Sequence, residues 1–398
     1  MRDFVENHPV LATSPMNPRD GFYGGRTGNT VTYYKCNKGE RIKYIDECSL
    51  YPFVFKYGRF PLGHPTIHVG SAAQDTDLST VDGMVKCKIL PPTQLYHPVL
   101  PVRMKGKLMF ALCNSCGESS QQRECCHTEE ERSFTGTWVI AEVLKALEEG
   151  NRIGEVFELW TYETRQYNHA AGQPGLFTEM MNKFIKIKQE ASGWPTDCVN
   201  DVVKQQQYPD FEEDEKVKLT PKRIENNPYL RSLAKLMPNS FWGKCGQREN
   251  QPQTTIINDP QECFDFLAHP SKNVNSITPV NEQTVVINWE YADEAVESLP
   301  TVNVVIAAFV TAQARLKLYE YLEMLDTRVL YYDTDSVIYV SNNLFPDPLT
   351  GKFIGDMTDE LEVYGIVSTS RNLFRANRKI THTLCGQRQS NVSNMFVR

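Results

Sequence analysis

Apolar positions along the chain group into short strand-like runs and longer helical stripes. Val329-Leu330-Tyr331-Tyr332 and Val337-Ile338-Tyr339-Val340 predict two strands joined through Asp333-Thr334-Asp335-Ser336. Far upstream, Ile42-Lys43-Tyr44-Ile45 predicts another strand, ended by Asp46 and stopped by Pro52. Helical spacing predicts a helix around Gly136–Gly150, with Val139, Val143, Leu144 and Leu147 on one face. A second stripe, Leu176, Phe177, Met180, Met181, Phe184 and Ile185, is core-like and stopped by Gly193-Trp194-Pro195; Lys183 and Lys186 mark its opposite face. Asn227-Pro228 reads as an N-cap and first helical residue of a further helix, and a long one is expected at about Val304 to Leu325. The acidic run Asp210 to Glu215 predicts an exposed tip between the two middle helices. Residues 251–300 are polar and Asn-rich without a strong period. There is no internal repeat.

Asp333 and Asp335 should project to the same side of an extended chain, with Thr334 pointing away. Two carboxylates at the end of a buried hairpin repel unless a hard cation lies between them; the plainer alternative is a polar turn. Asp46 supplies a third acid at the end of a strand. Between the acidic sites, Arg231 and Lys235 lie four apart and share one helical face. Two acid sites and a cationic helix are what nucleotide transfer from a triphosphate requires.

These segments resemble motifs of family B DNA polymerases. Asp46–Pro52 is similar to motif A (DxxSLYP), Lys235–Gly243 to motif B (KxxxNSxYG) and Tyr331–Ser336 to motif C (YGDTDS), in the right order. Phe22-Tyr23-Gly24-Gly25 resembles the (Y/F)xGG element of the protein-primed branch, found in adenoviruses, some phages and self-synthesising DNA transposons. The resemblance covers roughly residues 20–365. It implies an α+β right-hand palm of antiparallel sheet and helices, with helical fingers. Asp46 and Asp335 would then hold Mg²⁺ or Mn²⁺, with Asp333 assisting. Lys235 would contact the triphosphate, with Arg231 or Arg223. The backbone from Glu47 to Leu50, through Ser49, would approach the phosphates. Tyr51 would exclude a 2′-hydroxyl, though a core Tyr is the plainer reading. Asn239 and Ser240 would line the nascent base pair, whereas Phe241 and Trp242 fit packing equally well. Tyr23, Gly24, Gly25 and Arg26 would meet DNA. Implied partners are a DNA primer-template, deoxynucleoside triphosphates and a priming terminal protein.

The chain then divides into a lead-in (1–40), palm with motif A (41–62), an insertion (63–170), fingers (171–250), a second insertion (251–300), palm with motif C (301–345) and a tail (346–398). Departures from the pattern are Trp242 for Tyr, Tyr332 for Gly, and Pro238 three residues after Lys235. Inside a helix, Pro238 would cost about 3 kcal/mol and kink it, misaiming Asn239 and Ser240. No exonuclease motifs precede Phe22, and neither a thumb nor the C-terminal KxY element is recognisable, so the expectation is a chain truncated at both ends. A DNA-templated nucleotidyltransferase therefore competes with a degenerate copy that binds nucleic acid without catalysis. A reverse transcriptase shares the palm logic but fits the Ser49-Leu50-Tyr51 and Asn239-Ser240 surroundings less well.

At 398 residues and net charge −7, the chain can bury a real core but is not coated in basic surface. Lys216, Lys218, Lys222, Arg223, Arg231, Lys235, Lys244 and Arg248 nevertheless gather in one stretch, a phosphate-tracking patch or a solvated lysine-rich face. No run predicts a membrane span and the N-terminus does not read as a signal peptide, so an intracellular protein is expected, its compartment left open. The 11 cysteines read as thiols. Cys113, Cys116, Cys125 and His127 have spacing suited to a structural zinc, with Cys126 as an alternate and a reduced cysteine-rich loop as the other reading.

Overall fold

In the computed structural model, strands from both ends of the sequence meet in one antiparallel sheet. Its order is Thr27–Asn29, Val329–Asp333, Ser336–Ser341, Arg41–Glu47, Met357–Asp359. The structure describes residues 14–121, 123–168, 170–194, 215–296, 299–342 and 344–361, and the backbone of strand Leu373–Arg375. Alternation along Arg41–Glu47 sends Ile42 and Ile45 to opposite faces, and both are buried. On one face Ile45, Val337 and Tyr339 pack against Leu318, Leu322 and Leu325 of the Val304–Leu325 helix. On the other, Ile42, Ile338 and Val340 join Cys36, Leu330 and Leu361. Burial on both faces explains why Val337–Val340 reads as continuously apolar. Each such side chain contributes roughly 1.5–3 kcal/mol on burial.

A second antiparallel sheet has the order Arg59–Val69, Arg152–Gln166, Asp82–Leu90, Phe134–Val139. The helix expected over Gly136–Gly150 is shorter, Ile140–Glu148, because Phe134–Val139 pairs as a strand with Met84–Ile89. Thr135, Thr137, Trp138 and Val139 favour a pleated surface, and tertiary pairing overrides the helical spacing. Val143 and Ala146 then pack with Val85, Cys87 and Trp138. The boundary drawn at residue 62 falls inside strand Arg59–Val69.

The two middle helices are Thr178–Glu190 and Pro228–Cys245. Met181 and Ile185 of the first pack with Leu50, Val54 and Phe55 of helix Leu50–Tyr57. Asn227 caps the second as expected: the Leu230 N–H donates to Asn227 Oδ1 at 3.0 Å. Pro238 does not divide that helix, which runs as one element from Pro228 to Cys245. Of the acidic run, residues 210–214 lie outside the described residues. Glu215 is not an exposed tip. It is buried, accepting from Lys56 Nζ at 3.0 Å and from the Ile354 N–H at 2.8 Å.

Residues Gly243–Val304 form a separate compact unit. Within it the Asn-rich segment is regular, against expectation. Gln253–Ile257, Thr284–Tyr291 and Lys272–Asn281 make a three-stranded antiparallel sheet, with helix Pro260–Leu267 alongside. Ile257, Ile287, Trp289 and Phe266 form its core. The Asn303 N–H donates to Cys245 O at 2.9 Å, so the two ends of the unit lie side by side. No helix among the described residues is long and apolar enough to cross a membrane.

Candidate active site

The first acid is placed by pairing: Asp46 stands opposite Ser336, and the Glu47 N–H donates to Asp335 O at 2.7 Å. The other two acids come from a reverse turn rather than an extended run. Asp333 ends its strand, Thr334 adopts φ 54°, and the Asp335 N–H donates to Asp333 O at 2.5 Å. The three-residue turn brings the hairpin round so that Asp335 faces Asp46. Asp333 is held by its neighbours: Tyr331 OH donates to Oδ2 at 3.0 Å and Thr334 Oγ1 to Oδ1 at 3.2 Å.

No hydrogen bond from another residue reaches the carboxylates of Asp46 or Asp335 among the described residues. Burial first, then Asp335, Glu360 and Asp333, push Asp46 up to about 7. Burial, followed by Asp333, pushes Asp335 up to about 6. Lys235 opposes both shifts, which places its ammonium within electrostatic reach of the pair. Two crowded, unpartnered carboxylates suit a hard divalent cation, and oxygen-only donors suit Mg²⁺ or Mn²⁺.

Ser49 has φ 60° and precedes helix Leu50–Tyr57, so the Leu50 and Tyr51 amides head a helix and lack intrahelical partners. The amides of Glu47 and Cys48 are engaged, the latter with Asp356 O at 2.8 Å. The Leu50 side chain is core, leaving only its amide as a ligand for phosphate. Tyr51 stacks on Trp242 with centroids 5.2 Å apart and an interplanar angle of 20°. Phe241 is packing, edge-on to Phe55 at 5.2 Å.

On the cationic helix, Asn239 Nδ2 donates to Lys235 O at 2.9 Å and Ser240 Oγ to Leu236 O at 2.8 Å. Arg231 Nε donates to Ser192 Oγ at 3.1 Å, and Arg223 is exposed on a separate turn, Pro221–Arg223. Of the cations expected at the phosphates, only Lys235 appears among the causes of the acids' shifts.

Tyr23 and Arg26 turn inward, correcting the expectation of direct DNA contact. Arg26 is 2% exposed, donates to Pro98 O at 2.7 Å and lies over Phe110, 4.2 Å from the ring centroid. The Gly24-Gly25 element instead buttresses the acidic turn. The Thr334 N–H donates to Arg26 O at 2.8 Å, and a Cβ on Gly25 would stand 2.6 Å from Thr334 Oγ1. Gly24 has open space around it. Gly25→Ala should therefore cost about 1–3 kcal/mol of turn alignment, lowering kcat by roughly tenfold or more, with Gly24→Ala neutral as the paired control. Equal kcat values for the two variants would remove the buttress.

Three polar side chains at this end of the fold carry no role in the sequence reading, where Glu47 enters only through its backbone. Lys188 Nζ donates to Ser49 Oγ at 3.1 Å, whereas Lys186 pairs with Glu190 and Lys183 is exposed. Glu47 is buried on the opposite strand face, both carboxylate oxygens lacking a hydrogen-bond partner, and burial pushes it up to about 8. Arg315, on the long helix, donates to Tyr23 O at 3.0 Å and Gly24 O at 2.8 Å. Away from this site, Cys113, Cys116, Cys125 and His127 do converge, all four ligand atoms lying within 4.8 Å of one another.

The comparisons with known proteins agree with this layout. Residues 15–205 match the family model described as DNA polymerase type B, organellar and viral. A curated relative, "Probable DNA polymerase" of Neurospora intermedia, is 23% identical over 327 residues, covering 81% of this chain and 27% of the relative. The fold is similar to Phi29 DNA polymerase complexed with primer-template DNA and incoming nucleotide substrates, with TM-score 0.52 and 15% identity over 90% of this chain. Phi29 DNA polymerase complexed with single-stranded DNA gives 0.51 and 16%, again over 90% of this chain. The chain spans 47% and 46% of those two structures, about half their length. These matches agree with the resemblance to family B DNA polymerases, the family model covering a little under half of the chain and the structural likeness extending over most of it. The architecture is accordingly the α+β palm and fingers of that fold, present over part of the length of its relatives.

Proposed function

We propose that this chain carries the catalytic palm and fingers of a DNA-directed DNA polymerase, transferring deoxynucleotides to a primer 3′-hydroxyl on a DNA template. The observation that carries this reading is the pairing of the motif A strand with the motif C hairpin, which sets Asp46 beside Asp335 with unpartnered carboxylates. Asp46 and Asp335 would hold Mg²⁺ or Mn²⁺, and Asp333, itself held by Tyr331 and Thr334, would fix the turn. Divalent ions held there would supply Lewis-acid stabilisation of the developing charge. Lys235 and Lys188 neutralise the triphosphate, and the Leu50 and Tyr51 N–H groups donate to a phosphate oxygen at the helix N-terminus. Tyr51, held flat on Trp242, stands at the sugar. The Phi29 complexes with primer-template and incoming nucleotide support DNA and deoxynucleoside triphosphates as partners. The resemblance of Phe22-Tyr23-Gly24-Gly25 to the element of the protein-primed branch supports a terminal protein as primer and replication of a mobile or virus-like element as the setting.

A DNA primer-template with four deoxynucleoside triphosphates and Mg²⁺ or Mn²⁺ tests the reading. Primer extension is expected, stronger on DNA than on RNA template. No extension with either ion would leave the alternative of a catalytically degenerate fragment. That alternative rested partly on a broken motif B helix, and the unbroken helix through Pro238 weakens it; accordingly, Pro238→Leu should leave extension within about threefold of the parent. Lys188→Ala should lower kcat/KM for the nucleotide by roughly tenfold, mainly through KM, since a charged hydrogen bond to phosphate is worth about 1.5–3 kcal/mol. An unchanged KM would place Lys188 outside the nucleotide site.

A further inference from the structure

We infer that Cys113, Cys116, Cys125 and His127 bind one structural Zn²⁺, through three thiolates and Nδ1 of His127, independently of the polymerase reading. The geometry is specific. In a tetrahedral site with Zn–S about 2.3 Å and Zn–N about 2.0–2.1 Å, each S···N edge is about 3.5 Å. The three observed S···Nδ1 separations are 3.4 Å from Cys113, 3.3 Å from Cys116 and 3.6 Å from Cys125. Hydrogen bonding does not account for them. A neutral imidazole nitrogen has one lone pair and accepts one thiol proton, yet three sulfurs crowd the same atom. None of the three cysteines is in a disulfide.

The surrounding chain is built as a metal knuckle. Cys113 caps helix Asn114–Ser119, and its Sγ accepts the Cys116 N–H at 3.4 Å, the kind of outer-shell bond that orients a thiolate. Directly after His127, Thr128 and Glu131 form a capping box that starts helix Glu129–Arg132. Arg132 then donates to Pro91 O and Pro92 O, each at 2.7 Å, tying this segment to the second sheet. Between the two ligand pairs, Glu118, Ser119, Ser120, Arg123 and Glu124 are all exposed, so the described residues of the crossing supply no apolar core of their own. The four ligands join its two ends, and no position is left open to substrate, which makes the site structural. Cys126, the alternate from sequence, is exposed and lies outside the cluster.

Binding converts three thiols to thiolates and releases their protons, leaving a site of net charge −1. The test is metal content of the purified full chain after dialysis against metal-free buffer, by mass spectrometry. About one zinc per chain is expected. Cys116→Ser and Cys125→Ser should lose it, while Cys126→Ser and His127→Cys should keep it. The last two variants separate loss of ligation from failure to fold. Substituted Co²⁺ should show the visible bands of a four-coordinate sulfur-rich site. Zinc-free parent with all thiols titratable, zinc retained by Cys125→Ser, or zinc lost from Cys126→Ser would each overturn the site.

Discussion

Asp335→Asn should abolish primer extension while making the metal-free protein more stable. The first effect follows from the loss of one of the two proposed metal-binding carboxylates. Several kcal/mol of transition-state stabilisation go with the metal, so a fall of about 10³-fold or more is expected in single-turnover extension. The second effect follows from the crowding. Burial and neighbouring carboxylates hold Asp46 and Asp335 up to about 7 and about 6, above the ordinary 3.8. Between those values the folded chain keeps protons that the unfolded chain releases. Stability is therefore fully present below about pH 4 and is lost as pH rises towards 7. Removing one charge relieves the repulsion, for about 1–2 kcal/mol at neutral pH after allowing for solvent screening. Melting temperatures from pH 4 to 8 should thus fall for the parent, less steeply for the variant, and recover for the parent on addition of Mg²⁺. A variant that extends primers within tenfold of the parent, or one that melts lower at pH 7, contradicts this account.

Glu142→Ala should destabilise the fold by about 3–5 kcal/mol, because it strands a buried guanidinium. Glu142 and Arg315 are 1% and 3% exposed and paired through two parallel contacts of 2.8 Å. The remaining Arg315 donor holds Tyr23 O and Gly24 O. One ion pair therefore joins helix Ile140–Glu148, the long helix and the glycine element that supports the acidic turn. Replacing both partners, Glu142→Leu with Arg315→Met, should recover much of the stability but not the anchoring of the glycine element. Urea unfolding and extension rate would then separate: the double variant regains midpoint without regaining activity. Recovery of both would reduce the pair to a packing feature.

The acids were legible in sequence because their placement is local. A short strand, Arg41–Glu47, carries Asp46 beside its end, and two apolar runs close on Asp333 and Asp335. The turn itself is not legible, since nothing in Asp-Thr-Asp-Ser announces the positive φ at Thr334. The cysteine spacing was readable for the same local reason, and the ligand set agrees with the convergence in space. Tertiary choices were not legible. Three lysines crowd one helix, and only its docking against motif A selects Lys188 over Lys183 and Lys186. Arg26 reads in sequence as a DNA contact, whereas Phe110, Tyr319 and Tyr332, distant in sequence, enclose it. Strand Phe134–Val139 carried helical spacing that its partner strand overrode. In Gly243–Val304 the two-residue alternation of Ile287 and Trp289 was present but diluted by asparagine.

The adjoining ends of that last unit bear on how such a protein can change over time. Because Cys245 and Asn303 are hydrogen-bonded neighbours, the segment leaves and rejoins the chain at nearly one point. A short peptide can span that gap, so the cassette can be exchanged, lengthened or excised without rerouting the polypeptide on either side. Descendants of this chain are therefore freest to acquire new attachments at that doorway, while the helices flanking it keep their register.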